Sequence, residues 1–307
     1  MIVVAGEALI DLIVDDNLDL KAVPGGGPFN AARTLGRLGA DCTFLGVLAD
    51  DHFGEILRSE LATASVKLGC PTPTTAPTTL AVAQLSSDGA ASYRFYLEGT
   101  SLPMLSSREA WAGLPAEFTA FHLGTLGIAV EPTASVLEAL AEEVQASHII
   151  MLDPNCRPAI VTDYAGYRAR VMRLLLLADI VKVSAEDVAY LFPDGGFDEV
   201  VAQIVSGGGI VLHTAGAGVI DVFACEDHAT VTPPSGGIVD TVGAGDTFGA
   251  AVLWALTEGG WTKGQSLGMD QLLPAVQIAA VAAHIECQRA GAEPPTLAEL
   301  QARLKAD

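Results

Sequence analysis

Two hydrophobic periods alternate along the N-terminal part of the chain, and few folds accommodate that alternation. The stretch IVVAGEALIDLIV is rich in β-branched residues and reads as a strand that turns polar at Asp15 and Asp16. A turn follows at Gly25, Gly26 and Gly27. Residues 28–38 (PFNAARTLGRL) then predict a helix, with Pro28 early in it and Ala31, Leu35 and Leu38 at helical spacing. A short strand over 42–47 and a helix over 50–61 continue the series. Strands joined through helices run parallel, and a parallel sheet needs helices over its faces. The expected class is therefore α/β.

The rhythm breaks at PTPTTAP, residues 71–77. Two strand-like runs, 79–85 and 92–97, flank Ser87, Asp88 and Gly89, and Asp-Gly is a hairpin turn signal. Two strands with no helix after them predict a small sheet outside the main layer, with residues near 12–23 as its partner. We read it as a lid over about 12–25 and 75–100, carrying an apolar face of Leu80, Val82 and Phe95. After Pro103 the alternation resumes. Strands are expected at 120–123, 148–152, 180–183, 209–213 and 218–224. Helices are expected over 247–258, over 269–287 and from Leu297. No internal repeat interrupts residues 1–307, which read as one domain with the lid as an appendage.

Sixteen basic residues against 37 acidic ones leave a net charge of −21. That surface repels nucleic acid and anionic membranes, so neither is expected as a partner. No run of apolar residues is long enough for a transmembrane helix. The N-terminus carries Glu7 and Asp11 and lacks a basic leader, so it reads as a strand and not a signal peptide. The cysteines are odd in number (Cys42, Cys70, Cys156, Cys225 and Cys287) and none form a CxxC, which favours a reducing, cytoplasmic setting. The six histidines have no metal-ligand spacing.

Two stretches can carry chemistry. DTVGAGDTFGAAV, residues 240–252, has a Gly-Ala-Gly bend before a run in which Phe248, Val252 and Leu256 share a helical face. Such a turn aims free N–H groups and the positive end of a helix dipole at one spot, which suits an anion. Asp246 would sit beside that anion, placed to take a proton from an attacking hydroxyl; alternatively it caps the helix. PGGGPFNAARTLGRLG, residues 24–39, has GGGxxN spacing, neither GxGxxG nor a P-loop. Its glycines and Asn30 suit a backbone approaching a polyol.

Together these two stretches resemble the paired signatures of the ribokinase-like (PfkB) carbohydrate kinases, in the expected order across nearly the whole chain. The resemblance implies a three-layer α/β/α fold with a mainly parallel central sheet and a small β-sheet lid. It implies transfer of the ATP γ-phosphoryl group to a sugar hydroxyl, with Mg²⁺ and a monovalent cation such as K⁺ as cofactors. On it, Asp246 matches the general base, and Gly243, Ala244 and Gly245 the anion hole. Asp11, which we place at the end of the first strand, matches the carboxylate that grips sugar hydroxyls, and Gly26, Gly27 and Asn30 the sugar-binding turn. Ser184 and Asp187, in SAED, fall where the family has N-x-x-E near Mg²⁺ and phosphate. Gly216 and Gly218, in HTAGAG, fall in the nucleotide loop, where His213 is either a nucleotide contact or a packed strand end. Asp240, Val242 and Gly291 fall in the monovalent-cation loops. Such lids often pair into a homodimer.

GEALIDL, GGGPFN, DPNCRP (residues 153–158) and FHLGTLGIAVEPT (residues 121–133) resemble the fructokinase branch. There Arg157 either contacts sugar or phosphate or braces its strand end. In the family, many sugar acid kinases and fructokinases carry FYR in the lid strand, where this chain has Phe95, Tyr96 and Leu97, so a substrate carboxylate would lose a partner. Arg94 should face away from Leu97. The expected substrate is a neutral sugar, fructose first, with ribose, another ketose or a nucleoside behind it. A non-catalytic sugar- or nucleotide-binding regulator and a nucleotide-dependent oxidoreductase are the competing classes. The intact GAGD disfavours the first, and the absent dinucleotide fingerprint the second.

Overall fold

The computed structural model describes residues 1–14, 19–85, 91–225 and 227–306. In chain order its strands are β1 (Ile2–Ala5), β2 (Leu9–Val14), β3 (Leu20–Gly25), β4 (Cys42–Leu45), β5 (Lys67–Leu68), β6 (Leu80–Leu85), β7 (Ala91–Tyr96), β8 (Ala120–Gly124), β9 (Ile149–Asp153), β10 (Ile180–Ser184), β11 (Ile210–Thr214), β12 (Ile220–Ala224) and β13 (Asp227–Val231). Among the described residues the central sheet runs β13-β12-β11-β10-β9-β8-β1-β4-β5. Every neighbouring pair from β5 to β11 is parallel, and β12 and β13 close one edge antiparallel.

Helices Gly27–Arg37, His52–Thr63, Ala244–Glu258 and Met269–Cys287 bury one face of this sheet around Phe29, Phe44, Met151 and Leu212. Helices Thr133–Val144, Tyr164–Leu177 and Phe197–Ser206 bury the other around Phe121, Leu123, Leu152 and Val181. The strands of a sheet covered on both faces read as continuous apolar runs, as IVVA and IIMLD do. Among the described residues no helix is long and apolar enough to cross a membrane.

The opening stretch is two strands, not the single strand expected. Gly6, at φ +146°, breaks it, and a Cβ there would lie 2.4 Å from Pro28 Cγ. The chain therefore turns where only glycine fits, and Asp11 belongs to β2 in a second sheet instead of ending the first strand.

That second sheet has the order β3-β2-β6-β7, with β2 and β6 parallel and the outer pairs antiparallel. Asp15, Asp16 and the Ser87-Asp88-Gly89 turn lie outside the described residues. Phe95 is opposite Ala81, whereas Leu80 and Val82 are opposite Tyr96 and Arg94. Strict alternation thus puts Phe95 on the face away from Leu80 and Val82, and the single apolar face expected for these three residues does not exist. Arg94 and Leu97 do face opposite ways, since Phe95 and Leu97 pack in one cluster with Leu9, Ala81, Leu102 and Leu126.

Element bounds shift for local reasons. Asp51 accepts from Gly54 N–H and starts the second helix at His52. Gly218 N–H closes a turn on Ala215 O at 2.8 Å and delays β12 to Ile220. Ala244 and Gly245 lie inside the helix expected from Thr247, because Gly243, at φ +82°, is its N-cap.

Candidate active site

The parallel strands β1, β8, β9, β10 and β11 end on one rim, which is where open α/β sheets place ligands. A cavity of about 410 Å³ opens there, roofed by Ile13, Lys21, Val23, Ala83 and Phe95 of the second sheet. Its floor holds Glu7, Asn30, Asn155, Lys182 and the 240–246 turn.

The helix Ala244–Glu258 starts at this floor. The N–H groups of Gly245 and Asp246 take no backbone acceptor, as the first turn of a helix requires. Small residues are needed here. A Cβ on Gly243 would lie 2.8 Å from both Ala292 Cβ and Glu286 Oε1, and one on Gly245 would lie 3.1 Å from Lys182 Nζ. Asp246 is not the N-cap and receives no bond from its own helix. Its Oδ2 accepts from Asn30 Nδ2 at 2.9 Å and its Oδ1 from Asn155 Nδ2 at 3.3 Å. Two amides from distant elements therefore aim one carboxylate at the cavity.

Burial sets the charge states around it. Glu7 is buried and accepts from Gly27 N–H at 3.2 Å and Gly127 N–H at 3.0 Å. Desolvation outweighs those bonds and, with nearby Asp246, pushes it up to about 7. Desolvation likewise pushes Asp11 up to about 6, against the pull of the Arg157 guanidinium. Lys182 is buried and donates to both oxygens of Asp153, at 3.2 and 3.0 Å. Burial alone would lower its pKa, but Asp153, Asp187 and Asp246 overcome that and raise it above its ordinary value.

Of the residues singled out in the sequence, Asp11, Gly26, Gly27, Asn30, Arg157, Asp240, Val242, Gly243, Gly245, Asp246 and Gly291 all line this cavity. Ala244 is the first residue of the helix behind it. Asp240 joins the 240–242 turn to the loop at Gly291, accepting from Val242 N–H at 3.1 Å and Gly291 N–H at 2.9 Å. Arg157 braces its own loop by donating to the Asn155 carbonyl, Asn155 Oδ1 and the Cys156 carbonyl.

Ser184, Asp187, Gly216, Gly218 and His213 stand apart from the cavity lining. Ser184 and Asp187 form a capping box, and both Asp187 oxygens are engaged, by Cys156 N–H on one side and Ser184 N–H and Oγ on the other. Gly216 and Gly218 sit in the turn after β11, further along the same rim. His213 pairs with Asp221 across β12 at 3.3 Å and packs beside Phe197, as a strand-end residue does.

Glu7, Asn155 and Lys182 are among the cavity residues not singled out as site residues. The first two lie in GEALIDL and DPNCRP, where the signal was a polar residue next to a strand end. Lys182 had a signal too, a lone cation inside the apolar strand IVKVS.

The profile of the pfkB family carbohydrate kinases matches residues 1–299. A fructokinase of Rhizobium leguminosarum bv. trifolii is 35% identical over 286 residues, covering 92% of this chain and 84% of that protein. A probable fructokinase-4 of Arabidopsis thaliana is 29% identical, covering 99% and 97%. Among solved structures, a fructokinase from Xylella fastidiosa with bound ATP has a TM-score of 0.85 at 23% identity, covering 100% and 99%. A fructokinase from Vibrio cholerae O395, in a form with bound fructose, ADP and calcium ion, has a TM-score of 0.81 at 25% identity, covering 99% and 97%. With its ribokinase-like fold and this match across nearly its full length, the chain belongs to the pfkB family of carbohydrate kinases, a phosphotransferase family.

Proposed function

We propose that this kinase phosphorylates a small neutral sugar, fructose first, at the expense of ATP. One observation carries the reading: a carboxylate held by two amides beside unsatisfied N–H groups at a helix start. Asp246 takes the proton of the attacking hydroxyl as general base. The N–H groups of the 243–245 turn, apart from that of Ala244, which is turned onto the Thr241 carbonyl at 3.3 Å, receive the phosphoryl oxygens, replacing a lysine or arginine with a preorganised field. Asp11, with Gly26, Gly27 and Asn30, holds the sugar. The second sheet acts as a lid that keeps water from competing for the phosphoryl group. ATP runs along the rim past β10 and β11, where Ser184, Gly216 and Gly218 lie.

Magnesium enters this scheme as the counter-ion of ATP. Asp187 does not fit as an open ligand, because it is buried and its oxygens already accept from Cys156 N–H and from Ser184 N–H and Oγ. The monovalent-cation loops do fit. Asp240 has no Lys or Arg ion-pair partner among the described residues, and its charge meets only two N–H groups. Asp240 and the Val242 carbonyl would hold the cation, and a bound cation supplies positive charge next to the anion-receiving turn.

Neutral substrate is favoured by how the nearby cations are used. Arg157 is turned onto its own loop and Lys182 onto Asp153, while Arg33 is tied to the Ala292 carbonyl, Glu60 and Glu293. Lys21 alone stands exposed at the mouth. An anionic group at the far end of the sugar would lack a buried partner. A coupled ADP-release assay on fructose, ribose, ketodeoxygluconate and fructose 6-phosphate tests this. Efficient turnover of fructose 6-phosphate with little on fructose would overturn it.

The reading includes a cytoplasmic setting, supported by five free cysteines. It also includes a homodimer through the lid. The outer face of the second sheet leaves Leu12, Val14, Leu80 and Val82 half-exposed and Tyr96 exposed. A monomeric mass by sedimentation at micromolar concentration would remove the dimer.

A further inference from the structure

Glu286 lies in the helix Met269–Cys287, directly beneath the turn that starts the Asp246 helix. Its side chain is buried, yet neither carboxyl oxygen receives a hydrogen bond. Oε1 points at Gly243, so closely that a Cβ there would meet it at 2.8 Å. The Thr247 hydroxyl faces the carboxyl, and a proton donated from it would favour the carboxylate.

The direction of the neighbouring hydrogen bonds decides what Glu286 must be. Thr34 Oγ1 donates to the Asn30 carbonyl at 2.9 Å, so in its 2.9 Å contact with Thr247 Oγ1 the proton comes from Thr247. Thr247 then has no proton left for Glu286, only lone pairs. The charged groups facing Glu286 do not favour a carboxylate either. Asp246 from the helix Ala244–Glu258 and Glu293 from the C-terminal loop repel it. Arg33, from the helix Gly27–Arg37, is the one attracting cation among them, and its guanidinium already serves the Ala292 carbonyl, Glu60 and Glu293.

We propose that Glu286 is a neutral acid and a positioning residue for phosphoryl transfer: its hydroxyl donates to Thr247 Oγ1 and so fixes the Gly243–Asp246 turn. The chain of donors runs Glu286, Thr247, Thr34, Asn30 carbonyl, and the Asn30 amide in turn holds Asp246. A proton here links the floor of the helix to the base without touching substrate. Desolvation pushes Glu286 up to about 8, consistent with a protonated group at neutral pH. The inference rests on the kinase reading for its effect on turnover, but not for the protonation state.

The test compares wild type with Glu286→Gln, which keeps a donor without the titration, and Glu286→Leu, which keeps volume without a donor. Glu286→Gln should hold kcat within about twofold, and Glu286→Leu should lower it roughly 10- to 100-fold with little change in the sugar KM. Wild-type kcat in Glu286→Leu, or equal loss in both variants, would overturn the positioning role. Thermal melts read the proton without turnover. An acid with a raised folded pKa stabilises fully below its unfolded value, and that contribution is lost as pH rises towards the folded value of about 8. The Tm of Glu286→Gln should therefore gain on wild type from about pH 5 to about pH 8. A pH-independent difference would show that Glu286 is ionised and overturn the proposal. Failure of wild type to phosphorylate any sugar would defeat the kinase reading instead, with the melts still deciding the proton.

Discussion

Replacing Asp246 by Asn separates chemistry from architecture at this site. The substitution removes the proposed base but keeps the shape. One new amide hydrogen would point at Asn30 or Asn155, both of which now donate to the carboxylate. Asn30 can absorb it by turning its amide over, because its Oδ1 has no partner. The hydrogen-bond count is thus preserved. Meanwhile a charge disappears that raises Glu7, Asp11 and Glu286. Relief of that repulsion is worth about 1 kcal/mol, a rise of roughly 2–4 °C in Tm for a chain of this size. Turnover should fall roughly 10²- to 10⁴-fold, the cost of losing a general base. The assay pairs coupled ADP release at saturating fructose with a thermal melt of the same sample. Turnover within tenfold of wild type would remove Asp246 from the mechanism. A lower Tm would show that the lost attraction between Asp246 and the buried Lys182 outweighs the relieved repulsion.

Asp11→Ala should raise the sugar KM strongly with a smaller effect on kcat, and an unchanged KM in steady-state assays would mean that Asp11 does not hold the sugar. Because Asp11 titrates at about 6, its charged form is lost as pH falls through that value, so wild-type KM for the sugar should climb below about pH 6 while the Asp11→Ala value stays flat. Gly243→Ala would force a Cβ against Ala292 and Glu286 at φ +82°, a strain of about 1–3 kcal/mol visible in denaturant unfolding, together with loss of turnover. Lys182→Met would leave Asp153 buried and unpaired, at about 3–5 kcal/mol in the same experiment. The double variant Lys182→Met/Asp153→Leu should recover most of that stability, and equal stability of single and double variants would speak against the ion pair.

The layered fold was legible because strand and helix periods alternate along the chain and the strands of the second sheet interrupt them. Legibility failed where sheet identity depends on one backbone angle. Nothing in the hydrophobicity of IVVAGEALIDLIV marks the boundary at Gly6, which is set by contact with Pro28 some twenty residues on. The face carrying Phe95 depends on strand register, which a run of apolar residues does not encode. At the site, the glycine turns and Asp246 announce themselves through local composition. Lys182, Asn155 and Glu286 do not, because their roles come from what other elements place against them. Asp187 shows the reverse: a residue at a suggestive spacing with one oxygen held by its own helix start and the other by Cys156 N–H.

The crowding of acids around the cavity has a thermodynamic consequence outside catalysis. Glu7 and Asp11 titrate at about 7 and about 6, so near neutrality each is a partly filled proton reservoir. An arriving polyphosphate raises their proton affinity and draws protons in from solution, whereas a bound cation expels them. Ligand binding should therefore be accompanied by a fractional exchange of protons with the buffer. Calorimetric titrations in buffers of different ionisation enthalpy would then give different apparent heats for the same ligand, and the slope of that dependence counts the protons moved.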